Sequence, residues 1–294
     1  MKRVKIFSPQ LHQNINLLFL LVVGSYVAHI YLGWRQIIAI LLFSLVIEHF
    51  FLYLNKDRKF YFSYATLSTA VGVIVLMYAT QLWIYFFAIA LGLFQKHFIT
   101  IQGKHLFNPS NFALIMVLLF YYQDAHMATG QLGDTPWLVA LISLLAVVIL
   151  IRVDRWVIPL AFVIFYLGFE YCLVVGHDVT ILFEDIYERL YAATFVLFIY
   201  FMLTDPPVTP ICRSMQILYA SCIALIAAGM DRYFGYRVQH LFMAVFLLSP
   251  LVVLFQMEME RSTRLKQLLI ILLITIGVVT YIEFQPPYYF EMDR

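Results

Sequence analysis

The chain of 294 residues is 63% hydrophobic and 12% charged, with a mean hydropathy of +0.88. A soluble domain carries about 25% charged residues, so the composition excludes a water-facing fold. It points instead to one polytopic, all-α membrane domain without a soluble appendage. The net charge of +2 says little by itself; no pattern suggests nucleic-acid binding, and the partner that composition implies is membrane lipid.

Hydropathy predicts eleven helices, each near the roughly 20 residues that cross a bilayer. They cover residues 15–32, 34–54, 60–80, 82–99, 109–122, 136–151, 156–175, 190–204, 214–230, 238–256 and 267–284. The first follows Lys2, Arg3 and Lys5 without a small-residue cleavage site and reads as a retained span. The second carries Glu48-His49, a candidate ion or proton relay, since an ionisable pair inside a span defaults to function. Pairing of Glu48 with Lys56 or Arg58 near the interface is the alternative. The fifth and eighth helices are short, and each abuts a polar break: Asn108-Pro109-Ser110-Asn111 and Thr204-Asp205-Pro206-Pro207.

Both breaks read as helix starts. Asn108 and Asp205 can act as N-caps, with Pro109 and Pro206 at the first helical position, where no N–H is needed. Broken backbone inside lipid survives only where protein or a cavity surrounds it. A pair of Pro-interrupted segments in the two halves of a chain therefore points to an embedded site. Glu170 and Glu283, near helix ends, read as interfacial. Cys172, Cys212 and Cys222 have no metal-ligand or disulfide spacing, and the eight histidines form no matched pair for haem; His29 and His240 share only approximate depth.

With the N-terminus in the cytoplasm, 14 of the 19 Lys and Arg fall on the inner side, a positive-inside bias. An odd helix number then places the C-terminus outside. Helices 1–5 and 6–10 start with opposite orientation and suggest two halves. The last helix, after the charged stretch from Met257 to Lys266, is an addition.

Several segments resemble a family. Gln95-Lys96-His97, Gly103-Lys104-His105-Leu106-Phe107-Asn108-Pro109-Ser110-Asn111 and Phe201-Met202-Leu203-Thr204-Asp205-Pro206-Pro207-Val208-Thr209 are similar to motifs of the RnfD/NqrB family, membrane components of the Rnf and sodium-pumping NADH:quinone oxidoreductase complexes. So are Gly130-Gln131-Leu132-Gly133-Asp134 with Arg155-Trp156-Val157-Ile158-Pro159, Arg232-Tyr233-Phe234-Gly235-Tyr236, and Ser8-Pro9 ahead of the first span. The resemblance implies a transmembrane domain over residues 1–256, with about ten helices in two pseudo-symmetric halves containing broken helices. Residues 257–294 add a charged loop and one more helix. It also implies an electron-transport component of the inner membrane that relays electrons through a flavin, FMN or riboflavin, between partner redox subunits or a partner flavoprotein, with coupled ion movement.

Members of that family attach FMN to the Thr of a D-x-x-[ST]-[GS]-A-T sequence. The counterpart here, Asp124-Ala125-His126-Met127-Ala128-Thr129, keeps Ala-Thr but places His126 and Met127 at the two preceding positions and Asp124 one residue too close. A non-covalent flavin is the resulting expectation, with Thr129 as the covalent alternative. Candidate cofactor-binding residues are Lys104, Asn108, Pro109, Asn111, Thr204, Asp205 and Thr129. No catalytic constellation and no metal site is expected. Two other readings stay open: a solute or ion transporter or channel with the two breaks at its midplane site, and a scaffold for redox partners.

Overall fold

In the computed structural model, backbone that leaves a helix inside the bundle finds its hydrogen bonds in a short ladder or in side chains. The structure describes residues 8–27, 30–55, 63–128, 132–133, 135–177 and 181–286. Among them, twelve α-helices run in sequence order: α1 (Pro9–Val27), α2 (Trp34–Leu54), α3 (Tyr64–Leu76), α4 (Leu82–Phe98), α5 (Pro109–Phe120), α6 (Pro136–Val153), α7 (Val157–Glu170), α8 (Phe183–Glu188), α9 (Ala193–Leu197), α10 (Arg213–Phe234), α11 (Gln239–Phe255) and α12 (Arg261–Glu283). Single π turns extend α7 over Tyr171–Val175 and α9 over Phe198–Met202.

Five of the described helical segments are long and apolar enough to cross a membrane: Trp34–Leu54, Pro136–Val153, Val157–Val175, Arg213–Phe234 and Arg261–Glu283. Large apolar side chains point outward from several of them, among them Leu42, Val46, Leu144, Ile164, Leu273 and Ile274. Such a surface suits lipid and not water.

Most predicted helices appear close to their expected bounds, with instructive differences. The first begins at Pro9 rather than at residue 15, because Gln10, Gln13 and Asn14 tolerate a helix as well as the apolar residues that follow. The third ends at Leu76 and continues as a strand, β1 (Met77–Ala79), which pairs antiparallel with β4 (Ala125–Met127). The segment expected to be an outer loop after α5 thus turns back into the protein, where Ala125 is fully buried. The ladder is closed by Thr80 N–H to Asp124 O at 2.9 Å and Ala128 N–H to Leu76 O at 3.0 Å. Between α4 and α5, a second ladder joins β2 (Thr100–Ile101) to β3 (Lys104–His105). Gln102 and Gly103 make its turn, both at positive φ, the conformation that suits a two-residue hairpin.

The helix neighbours repeat along the chain. α1 packs on α3, α2 on α4 and α4 on α5; further on, α6 packs on α9, α7 on α10 and α10 on α11, while α1–α6 and α5–α11 contacts join the two sets. α4 and α5 approach each other closely at Gly92. A Cβ on Gly92 would stand 2.5 Å from the Pro109 carbonyl oxygen and 3.1 Å from Ala113 Cβ.

Replacing Gly92 by Ala is therefore expected to destabilise the protein by roughly 1–3 kcal/mol through overpacking, read as a lower thermal midpoint in detergent. Gly229→Ala, which meets open space, should leave the midpoint within experimental scatter or raise it.

Candidate functional site

The first break behaves as its sequence suggests. Asn108 is extended, its Oδ1 accepts from Asn111 N–H at 3.1 Å, and Pro109 occupies the first helical position of α5. The second does not. Pro206–Val208 forms a single 3-10 turn, and α10 begins only at Arg213 with Cys212 as N-cap. The cause is Pro210, which holds the preceding Thr209 extended at φ −117°, ψ 151° and stops the turn that Pro206 starts. Asp205 makes no side-chain capping bond, and its carboxylate turns across the bundle instead. Asn108 Nδ2 donates to Asp205 Oδ2 at 2.9 Å. The two breaks, 97 residues apart, meet side chain to side chain.

Neighbouring residues clamp the second break. Arg155 Nε donates to Thr209 Oγ1 at 2.9 Å, Thr209 Oγ1 donates to Asp205 O at 2.9 Å, and Gln256 Nε2 donates to Thr209 O at 3.1 Å. Gln216 Nε2 donates to the carbonyl of Pro210 at 3.2 Å. This accounts for backbone groups that a helix would have satisfied.

The joined breaks border a cavity of about 560 Å³, lined also by α1, α3 and the end of α4. That volume lies in the range of cofactor and drug-sized sites, ~300–1,000 Å³. Its mouth is formed by exposed Pro9, Gln10, Pro206 and Pro207; its depth is lined by buried Leu20, Leu21, Val75 and Leu76. From Pro9 to Leu21 the wall is helical, about 18 Å at 1.5 Å per residue. Polar groups concentrate toward the mouth: Gln10, Gln13, Asn14, Ser68, Asn108, Asp205, Lys96 and His105 all face the space. Two of their atoms, Asn14 Oδ1 and His105 Nε2, are buried without a hydrogen-bond partner. Burial, with Lys96 and His97 nearby, lowers the His105 imidazole to about 4, so the ring is neutral at physiological pH and presents one donor and one acceptor.

Of the residues expected at the site, Asn108, Pro109 and Asp205 line the cavity. Asn111 is buried behind it, with Nδ2 donating to Phe242 O at 3.1 Å and so tying α5 to α11. Thr204 Oγ1 donates to Tyr200 O, satisfying the carbonyl of a π turn. Lys104 is exposed on the hairpin and does not border the cavity; Lys96 does. Thr129 lies outside the described residues, as do Lys56, Arg58 and His29.

Glu48 is fully buried and faces α4, with Oε1 2.7 Å from Lys96 Nζ and Oε2 2.9 Å from His97 Nε2, and it accepts from Ser63 Oγ at 3.2 Å. His49 turns to its own helix, with Nδ1 2.7 Å from Leu45 O. Glu170 and Glu283, expected at the interface, are buried among side chains at the other end of the bundle. Helix packing there excludes the water that a terminal position would have offered. The polar start of α1 was the unread signal for the cavity: Gln10, Gln13 and Asn14 fall at i, i+3 and i+4, one face of a helix.

Among the described residues no group of three or more His, Cys, Asp or Glu could hold a metal ion. No protein-family model matches the chain, and no curated protein matches it.

Two expected outcomes test this geometry. Lys96→Met leaves a buried carboxylate without its principal cation and should cost about 3 kcal/mol; adding Glu48→Gln should recover most of the loss, measured by unfolding in detergent. Asn108→Ala removes both a cap and the partner of Asp205, and about 2 kcal/mol of destabilisation is expected. An unchanged midpoint would show that the breaks are not held by this contact.

Proposed function

We propose that the protein is an integral membrane component of an electron-transport system that holds a flavin, FMN or riboflavin, non-covalently in the cavity beside the two breaks. It relays electrons between partner redox proteins. The observation that carries this reading is the meeting of Asn108 and Asp205 at a 560 Å³ cavity. Both belong to the segments that resemble the RnfD/NqrB family.

The residues present fit such a cofactor. The cavity is apolar at depth and polar toward its mouth, as a ligand with a fused-ring body and a hydroxylated chain requires. Asn14 Oδ1 and His105 Nε2 are unpartnered groups for its heteroatoms. Lys96 borders the space and supplies positive charge for a phosphate. Bound flavin supplies one- and two-electron redox chemistry; the protein supplies binding, orientation and electrostatics.

The repeating neighbour pattern, α1–α3 with α6–α9, α2–α4 with α7–α10 and α4–α5 with α10–α11, supports two inverted halves of five spans each, with α12 as an eleventh. Consecutive spans then alternate in direction. Lys96, Lys104, Arg152, Arg155, Arg213, Arg261 and Arg264 belong to one end, which we place in the cytoplasm of an inner-membrane protein. The C-terminus is then outside, and the cavity opens toward the cytoplasm. Coupling to ion movement is part of the same proposal, with Glu48 as the relay residue on that side.

A second reading, a solute or ion carrier, is favoured by one observation. Leu76, at the deep end of the cavity, also lines a smaller one bordered by Ala128, Thr194 and Phe198. Carriers place their site at such a junction of two halves, beside broken helices.

The spectrum of the detergent-purified protein reconstituted with FMN or riboflavin decides between them. Flavin absorbance that co-purifies and is released on denaturation is expected. Ser68→Trp, which fills the cavity wall, should weaken flavin retention roughly tenfold or more while the protein stays folded. Flavin fluorescence that survives a denaturing gel would assign the cofactor to Thr129 instead. No retention by folded protein, together with solute flux in liposomes, would establish the carrier.

A further inference from the structure

At the end of the bundle opposite the cavity mouth, a second set of buried ionisable groups joins α7, α10, α11 and α12. Glu170 of α7 is fully buried, and neither carboxylate oxygen has a hydrogen-bond partner. The charges acting on it are the Asp231 carboxylate of α10 and the Arg189 guanidinium. Asp231 Oδ1 accepts from Arg237 N–H at 2.8 Å and faces His240 Nδ1 at hydrogen-bond distance. Asp231 Oδ2 stands 3.8 Å from Arg189. His240, fully buried in α11, has Nε2 3.2 Å from Glu283 Oε1. Glu283 of α12 also receives Gln239 Nε2 at 2.8 Å and Arg237 Nη1 at 3.3 Å. Arg189 donates to the Tyr166 hydroxyl at 3.2 Å and lies over the Tyr236 ring at 3.4 Å.

Glu48 provides a contrast. It stands in the second half of α2 and Glu170 at the end of α7, and these helices pack on α4 and α10, which occupy corresponding places in the neighbour pattern. Glu48 meets Lys96 and His97, two groups that can carry positive charge. Glu170 has no cation at ion-pair distance among the described residues, and both of its oxygens are unpartnered. An unpaired buried carboxylate costs several kcal/mol unless it takes up a proton. Across the set, three carboxyl groups face two guanidiniums and one imidazole. The charge closes with one added proton, which rests on Glu170 at neutral pH, with His240 as its second position.

A metal cation is not the fitting ligand. Arg189 and Arg237 repel it, both nitrogens of His240 are turned to carboxylates, and no metal-holding group is present among the described residues. We propose that Glu170, Asp231, His240 and Glu283 form a proton-exchange site: it stores one proton, which passes between the Glu170–Asp231 pair and His240 and exchanges with solvent past the half-exposed Arg237. The proposal does not depend on the flavin reading, and its test needs no cofactor.

The test is infrared spectroscopy of the full chain in lipid. At neutral pH the wild type should show the carbonyl stretch of a protonated carboxyl that shifts in deuterium oxide. Glu170→Gln should remove one carboxyl equivalent of it, and His240→Gln should move the pH at which it disappears. A wild-type spectrum with no deuterium-sensitive carboxyl band overturns the proposal without recourse to variants. So does a band that Glu170→Gln leaves intact, or one whose pH dependence ignores His240. If Glu170→Gln fails to fold, Glu170→Asp should shift the band in frequency, and an unshifted band counts against Glu170.

Discussion

Inside an apolar bundle, backbone that leaves the helix must find its hydrogen bonds within the chain, because lipid offers none and each unmade bond costs several kcal/mol. Much of this structure follows from meeting that demand. β1 and β4 pair where α3 stops short. Arg155, Gln216 and Gln256 serve the carbonyls and hydroxyl of the second break. Asn108 uses its carbonyl oxygen to cap α5 and its amide to reach Asp205. The cavity exists because short helices and proline-bound loops cannot fill the space that full spans would.

The ionisable groups obey a related constraint. Each buried acid has an answer, but the answers differ. Glu48 is met by groups that can carry positive charge, Asp205 by an amide, Glu283 by a guanidinium, an amide and an imidazole, and Glu170 by another acid. Paired charge pins helices together. A buried carboxyl left without a cation is settled by a proton, which can leave. The two ends of the bundle thus place different chemistry at corresponding helix positions. An electron carrier with proton exchange on the far side, or a proton-coupled carrier, would each make use of that difference.

The cavity and the distant cluster are joined through α10 and α11. α10 begins beyond the clamped second break and carries Asp231 in its last turn; α11 receives Asn111 on its Phe242 carbonyl and carries His240 two residues before it. α10 and α11 pack on each other, and Phe107, Phe112 and Phe246 in mutual contact tie α11 to α5.

The sequence by itself determined the helices and their turning points. Long apolar runs admit no other backbone where water is absent, and Asn108-Pro109 starts a helix by local chemistry alone. It also marked the two breaks as the place to look. Only the tertiary structure decided what those residues touch. The helical cap expected at Asp205 gave way to a contact 97 residues distant, because Pro210 ends the helix after a single turn. Lys104 and Lys96 are equivalent in a linear reading, yet one faces outward and the other borders the cavity. Glu170 and Glu283 read as terminal and solvated, yet neighbouring helices bury both. Local propensity acts through bonded neighbours and is visible in a string of residues; burial and charge pairing act through space, and only the folded chain sets those distances.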